Sequence, residues 1–152
     1  WKPYTLETQT YQTNNGQISN SDGKAYAINL MADFDKLSLG AAYSTIDDEA
    51  SIVSGLGNGA DYLYTASWIY GGVYSADTDA YKLSTGYDIT TDLSFDVIYA
   101  SWKTADAPRA SETDFVTTYA FNKNLSTTFV LATYDKLADE SYRSRLYASY
   151  KF

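Results

Sequence analysis

Along most of this chain, apolar residues recur at every second position. In 24–34 (KAYAINLMADF) one face reads Tyr26, Ile28, Leu30, Ala32, Phe34 and the other Ala25, Ala27, Asn29, Met31, Asp33. In 37–45, Leu37, Leu39, Ala41, Tyr43 and Thr45 oppose Ser38, Gly40, Ala42 and Ser44. The stretch 79–89 sets Tyr81, Leu83, Thr85, Tyr87 and Ile89 against Ala80, Lys82, Ser84, Gly86 and Asp88. In 93–101, Leu93, Phe95, Val97 and Tyr99 oppose Ser94, Asp96, Ile98 and Ala100, and the pattern returns with Phe115 to Phe121 and Leu125 to Leu131. A period of two belongs to strands and not to helices. The expectation is an all-β, antiparallel protein with eight strands, near 4–13, 24–34, 37–46, 79–89, 93–102, 113–121, 125–135 and 143–152.

The links between these segments alternate between short and long. Short ones are DK after Phe34, TTD after Ile89 and NKN after Phe121; between them lie 14–23, 47–78, 103–112 and 136–141. Folding about the short links pairs Phe34 with Leu37 and Ile28 with Tyr43. It likewise pairs Tyr87 with Phe95, Leu83 with Tyr99, Tyr119 with Thr127 and Phe115 with Leu131. Every pair joins like faces, as cross-strand neighbours must. The stretch 61–70 (DYLYTASWIY) also alternates, but a ninth crossing would break the parity that returns both ends to the short-turn side. It is therefore assigned to the long loop 47–78, as a hairpin above the membrane or folded into the mouth.

The faces carry an unusual division. The large apolar side chains share one, while the other is mostly Ser, Gly, Ala and Thr with a few charges. A soluble sandwich would place many charges opposite its core. Apolar outer rows, aromatics beside the short turns (Phe34, Tyr87, Phe95, Phe121) and long loops at the other end describe a transmembrane β-barrel. The 152 residues suit one domain, 1–152, and include 16 tyrosines. Eight strands make either a complete small barrel or half of one with about 16–18 strands.

The chain closes on SRLYASYKF (144–152), with Leu146, Ala148, Tyr150 and Phe152 at alternate positions. This ending resembles the signal read by the bacterial outer-membrane barrel assembly machinery. The stretch 67–103 (SWIYGGVYSADTDAYKLSTGYDITTDLSFDVIYASWK) resembles the C-terminal portion of OprD-like and Campylobacter-type major outer-membrane porins. Such porins have about twice as many strands. The resemblance implies a porin of the bacterial outer membrane, with lipid, the assembly machinery and small hydrophilic solutes as partners and a homotrimer as its assembly.

Candidate chemistry narrows accordingly. The chain contains no His and no Cys, which removes a Ser-His-Asp arrangement and most transition-metal sites, so no enzyme and no cofactor are expected. Its net charge of −8 without a basic patch excludes nucleic acid. The acidic residues Asp47, Asp48, Glu49, Asp61, Asp77 and Asp79 of the long loop form either a cation-binding cluster or a solvated acidic mouth; without the spacing of a calcium loop, the solvated mouth is favoured. By parity Lys82, Asp88, Asp96, Arg143, Arg145 and Lys151 face the interior. In a wide barrel such charges set up a transverse field that selects solutes; in a complete eight-stranded one they pair and fill it. Trp68 and Tyr70 are the loop aromatics that could touch a ligand, and Trp102 is expected to pack at the mouth. The alternative to a diffusion channel is a small non-conducting barrel with a structural or adhesive role.

Overall fold

The computed structural model describes residues 4–14, 22–52, 63–69, 72–136 and 139–152. Eight strands account for most of them: β1 (Tyr4–Asn14), β2 (Asp22–Phe34), β3 (Leu37–Ile46), β4 (Thr78–Asp88), β5 (Leu93–Thr104), β6 (Ala110–Ala120), β7 (Leu125–Lys136) and β8 (Asp139–Tyr150). A short 3₁₀ turn, Gly72–Tyr74, lies in the long β3–β4 link. Each strand pairs antiparallel with the next in one sheet of order β1 to β8.

The expected register holds. Phe34 faces Leu37 and Ile28 faces Tyr43 across β2–β3. Leu83 faces Tyr99 across β4–β5, and Phe115 faces Leu131 across β6–β7. The short links are closed by their own side chains. Thr90 Oγ1 accepts from the N–H groups of Asp92 and Leu93, and Asn122 Oδ1 accepts from those of Asn124 and Leu125. Both are turns in which a side chain substitutes for a backbone acceptor. The two-residue β2–β3 link instead places Asp35 at φ 54°, a left-handed conformation that Asp tolerates. At the long-link end the strands run further than the alternation suggested: β6 starts at Ala110, paired with Trp102, and β8 at Asp139.

The sheet is inside-out by the standard of a soluble protein. Its large side chains, including Leu30, Leu83, Tyr87, Phe129 and Leu146, lie exposed on one face. The opposite face buries small ones: Ala25, Ala27, Ala42, Ala80, Ala100 and Ala132. The core forms on that small-residue face. There Ile52, Leu63, Ala66 and Val73 of the long link pack against wall alanines and Trp102. Alanines leave room for the link, which larger residues would occupy.

The course of the link shows that the sheet curls around it. Thr65 touches Ser44 of β3, Ala66 touches Lys82 of β4, Ser67 touches Glu112 of β6 and Trp68 touches Tyr147 of β8. Five strand spacings separate β3 from β8, about 24 Å in a flat sheet, whereas three residue steps span roughly 10 Å. The small-residue face is therefore concave, and residues 65–68 of the link lie within it. Among the described residues β1 and β8 do not pair, so each has a hydrogen-bonded neighbour on one side only.

Candidate functional site

The register lays the concave face out as rows running across the strands. One row reads Asp33, Ser38, Gly86, Asp96, Val116, Val130, Arg145 from β2 to β8. The next, nearer the long-link end, reads Met31, Gly40, Ser84, Ile98, Asp114, Ala132, Arg143. Above it come Asn29, Ala42, Lys82, Ala100, Glu112, Tyr134, Ser141.

Five of the six interior charges expected from parity take their places on this grid. Asp88 pairs with Ser94 toward the short-turn end, next to the row that holds Asp96. The acidic groups Asp33, Asp88 and Asp96 thus occupy β2, β4 and β5, while Arg143 and Arg145 stand on β8. Asp96 and Arg145 share a row three strand spacings apart, about 14 Å along the wall. Lys151 lies just past β8, where its N–H still bonds Asn124 O at 2.8 Å. Glycine opens the acidic side. A β-carbon at Gly86 would run into the Asp96 carboxylate and the Ser38 hydroxyl, and one at Gly40 would meet the Ser84 hydroxyl.

Glu112 and Asp114 are the residues that sequence reasoning missed. The run 103–112 reads as a link, which hides Glu112, while Asp114 falls on the inward face of the strand expected over 113–121. The parity that places Lys82 and Asp96 inward finds Asp114 directly, and finds Glu112 once β6 begins at Ala110. Both side chains are fully buried (0 % exposed), yet the long link satisfies most of their oxygens. Glu112 Oε2 accepts from the Ser67 hydroxyl at 2.8 Å and Oε1 from the Ile69 N–H at 2.9 Å. Asp114 Oδ2 accepts from the Trp68 N–H at 3.2 Å, while its Oδ1 makes no hydrogen bond among the described residues. On β4, Lys82 Nζ donates to Ala66 O at 3.2 Å; on β3, the Ser44 and Thr65 hydroxyls bond at 2.6 Å. The Trp68 ring then stands 5.8 Å from Tyr147, whose hydroxyl accepts from Arg145 Nη1 at 3.3 Å. Gly72 rests against the Trp102 indole, which stacks on Tyr134 at 6.0 Å. Trp102 thus packs at the mouth, as parity suggested.

The acidic residues of the long link do not converge. Asp47 Oδ1 accepts from the Lys24 N–H, Glu49 pairs with Lys24 Nζ at 3.8 Å, and Asp79 accepts from the Tyr43 hydroxyl at 2.6 Å on the exposed face. Asp77 serves through its backbone, bonding Asp47 O and Ala105 N. Among the described residues no group of three acidic side chains could hold a metal ion. Asp61 and Tyr70 lie outside the described residues. At the chain's last residues, Leu146 and Tyr150 lie exposed on the large-residue face, and Phe152 meets Tyr150 edge-on at 5.1 Å.

No protein-family model matches the chain, and no curated protein matches it. Solved structures do. Pseudomonas aeruginosa OccK11 (OpdR) superposes with a TM-score of 0.75 at 20% identity, over 97% of this chain and 46% of its own. Acinetobacter baumannii OccAB4 gives 0.75 at 19%, over 99% of this chain and 43% of its own, and P. aeruginosa OccK3 (OpdO) gives 0.73 at 19%, over 98% and 50%. The chain thus spans about half the length of these proteins. At this identity the likeness is one of fold, and the chain has the antiparallel β-barrel fold of about half of an OprD/Occ-type chain.

Proposed function

We propose that these eight strands form part of the wall, and residues 65–69 of the 47–78 link part of the constriction, of a porin through which small hydrophilic solutes and ions diffuse across a bacterial outer membrane. The observation that carries this reading is the course of Thr65–Ala66–Ser67–Trp68 across the concave face from β3 to β8. A segment tied to the inside of a curled wall narrows whatever passes along it. The exposed apolar face fits lipid, which offers no partner to polar side chains. The acidic side on β2–β5 and the basic side on β8 give a transverse field across the passage, which sorts solutes by charge and draws carboxylates toward Arg143 and Arg145.

The edges β1 and β8, which do not pair among the described residues, weigh against a small non-conducting barrel. A barrel of these strands alone would join β1 to β8, and lipid does not tolerate an open edge. Further strands of the same wall close it, in keeping with the double length of the matched structures. Leu146, Ala148, Tyr150 and Phe152 serve as the assembly signal, and the apolar outer rows are available to lipid or to neighbouring copies in a homotrimer. Planar-bilayer recording of the full gene product tests the reading. Steady ohmic steps are expected; a folded, membrane-inserted protein without conductance would refute it.

A further inference from the structure

We propose that Glu112 and Asp114 are positioning residues, a latch that holds the 65–69 segment across the lumen with Trp68 packed against Tyr147, so that the segment narrows the passage. The inference rests on the channel reading above and goes beyond it, to the groups that set the width of the passage.

A segment inside a barrel has no strand ladder to absorb its N–H groups, and unpaired ones are costly where water is excluded. Here consecutive donors, the Ser67 hydroxyl and the N–H groups of Trp68 and Ile69, converge on two carboxylates two residues apart on one strand. The preceding carbonyl, Ala66 O, is taken by Lys82. The segment is thus held from two sides, by a cation on β4 and an acidic pair on β6, and it passes over Ala100 of β5, which leaves it space. In a water-poor site each such bond spares a buried donor its desolvation cost. The Trp68 N–H is itself one of the donors, so the latch sets where its ring begins. That ring meets Tyr147, and Tyr147 is bonded to Arg145. Release of the latch would separate the aromatic pair and uncover the basic row beneath it.

Single-channel recording of the full gene product in planar bilayers decides the matter, with three variants. In Glu112→Gln/Asp114→Asn the carboxyls become amides but the bonding pattern survives, because the Ser67 hydroxyl can turn and accept from the new amide. Glu112→Ala/Asp114→Ala removes both the carboxyls and their bonds. Each buried donor left without its acceptor should raise the population with a displaced segment roughly tenfold. The expected result is a larger, flickering conductance in the alanine variant and a steady level of near wild-type size in the amide variant. Trp68→Ala should also enlarge the conductance, and adding it to the alanine pair should change little further, since the ring is already displaced. If the alanine pair fails to assemble, Ser67→Ala removes one donor from the segment and leaves the wall intact; it should flicker as well. Equal, steady conductance in wild type, alanine and Ser67 variants would overturn the latch while leaving the channel standing. A silent wild type would instead remove the channel reading itself.

Discussion

Leu83→Arg tests the assignment of faces at one residue. Leu83 is the centre of β4, with five residues on either side within Thr78–Asp88, and it is 53 % exposed between Ala41 and Tyr99. At about 3.3 Å per residue and a tilt of about 45°, it sits roughly 12 Å along the membrane normal from each strand end. That is the middle of an apolar band about 25 Å tall, where an arginine costs about 2–4 kcal/mol. The folding equilibrium should fall by roughly 30- to 700-fold. Ser84→Arg is the matched control. It lies one residue on, faces inward, and stands opposite Gly40, which has no side chain to crowd a new one. Reversible urea unfolding in phospholipid vesicles should show Leu83→Arg strongly destabilised and Ser84→Arg near wild type, with only the latter altering conductance. A greater loss for Ser84→Arg would mean that the concave face is already full or that the faces are reversed.

Other expectations follow from single contacts. Gly72→Ala drives a β-carbon into the Trp102 indole, an overpacking of about 1–3 kcal/mol that should make the 47–77 link more susceptible to protease under native conditions. Unchanged protection would show that the 3₁₀ turn shifts freely. Arg145→Glu cancels the charge of the basic side, where Arg143 stays positive, so the zero-current potential in a salt gradient should move toward cation selectivity; no movement would place Arg145 outside the ion path. Phe152→Ser removes an exposed ring whose burial is worth about 1.5–3 kcal/mol at most. It should refold in detergent yet accumulate unassembled in cells, and equal assembly of wild type and variant would leave Phe152 a simple interface anchor.

Strand positions, cross-strand register and the division of faces were legible in the sequence because each rests on local repetition. A side-chain period of two places Leu83 and Ser84 on opposite faces whatever surrounds them, and a three-residue link such as TTD forces Tyr87 opposite Phe95. Thr90 and Asn122 close their turns with atoms only two or three residues away. The course of the long link had no such signal. Its residues 61–70 alternate like a strand, and parity could exclude a crossing without saying whether the stretch rose above the mouth or entered it. The partners that hold its residues 67–69, Glu112 and Asp114, are 43 to 46 residues away. Their carboxylates become acceptors for Ser67, Trp68 and Ile69 only when the sheet has curled enough to bring β6 beside a segment that leaves from β3. Curvature likewise decides that, among the described residues, β1 and β8 do not pair. It is a sum of small twists over eight strands, which no local pattern encodes.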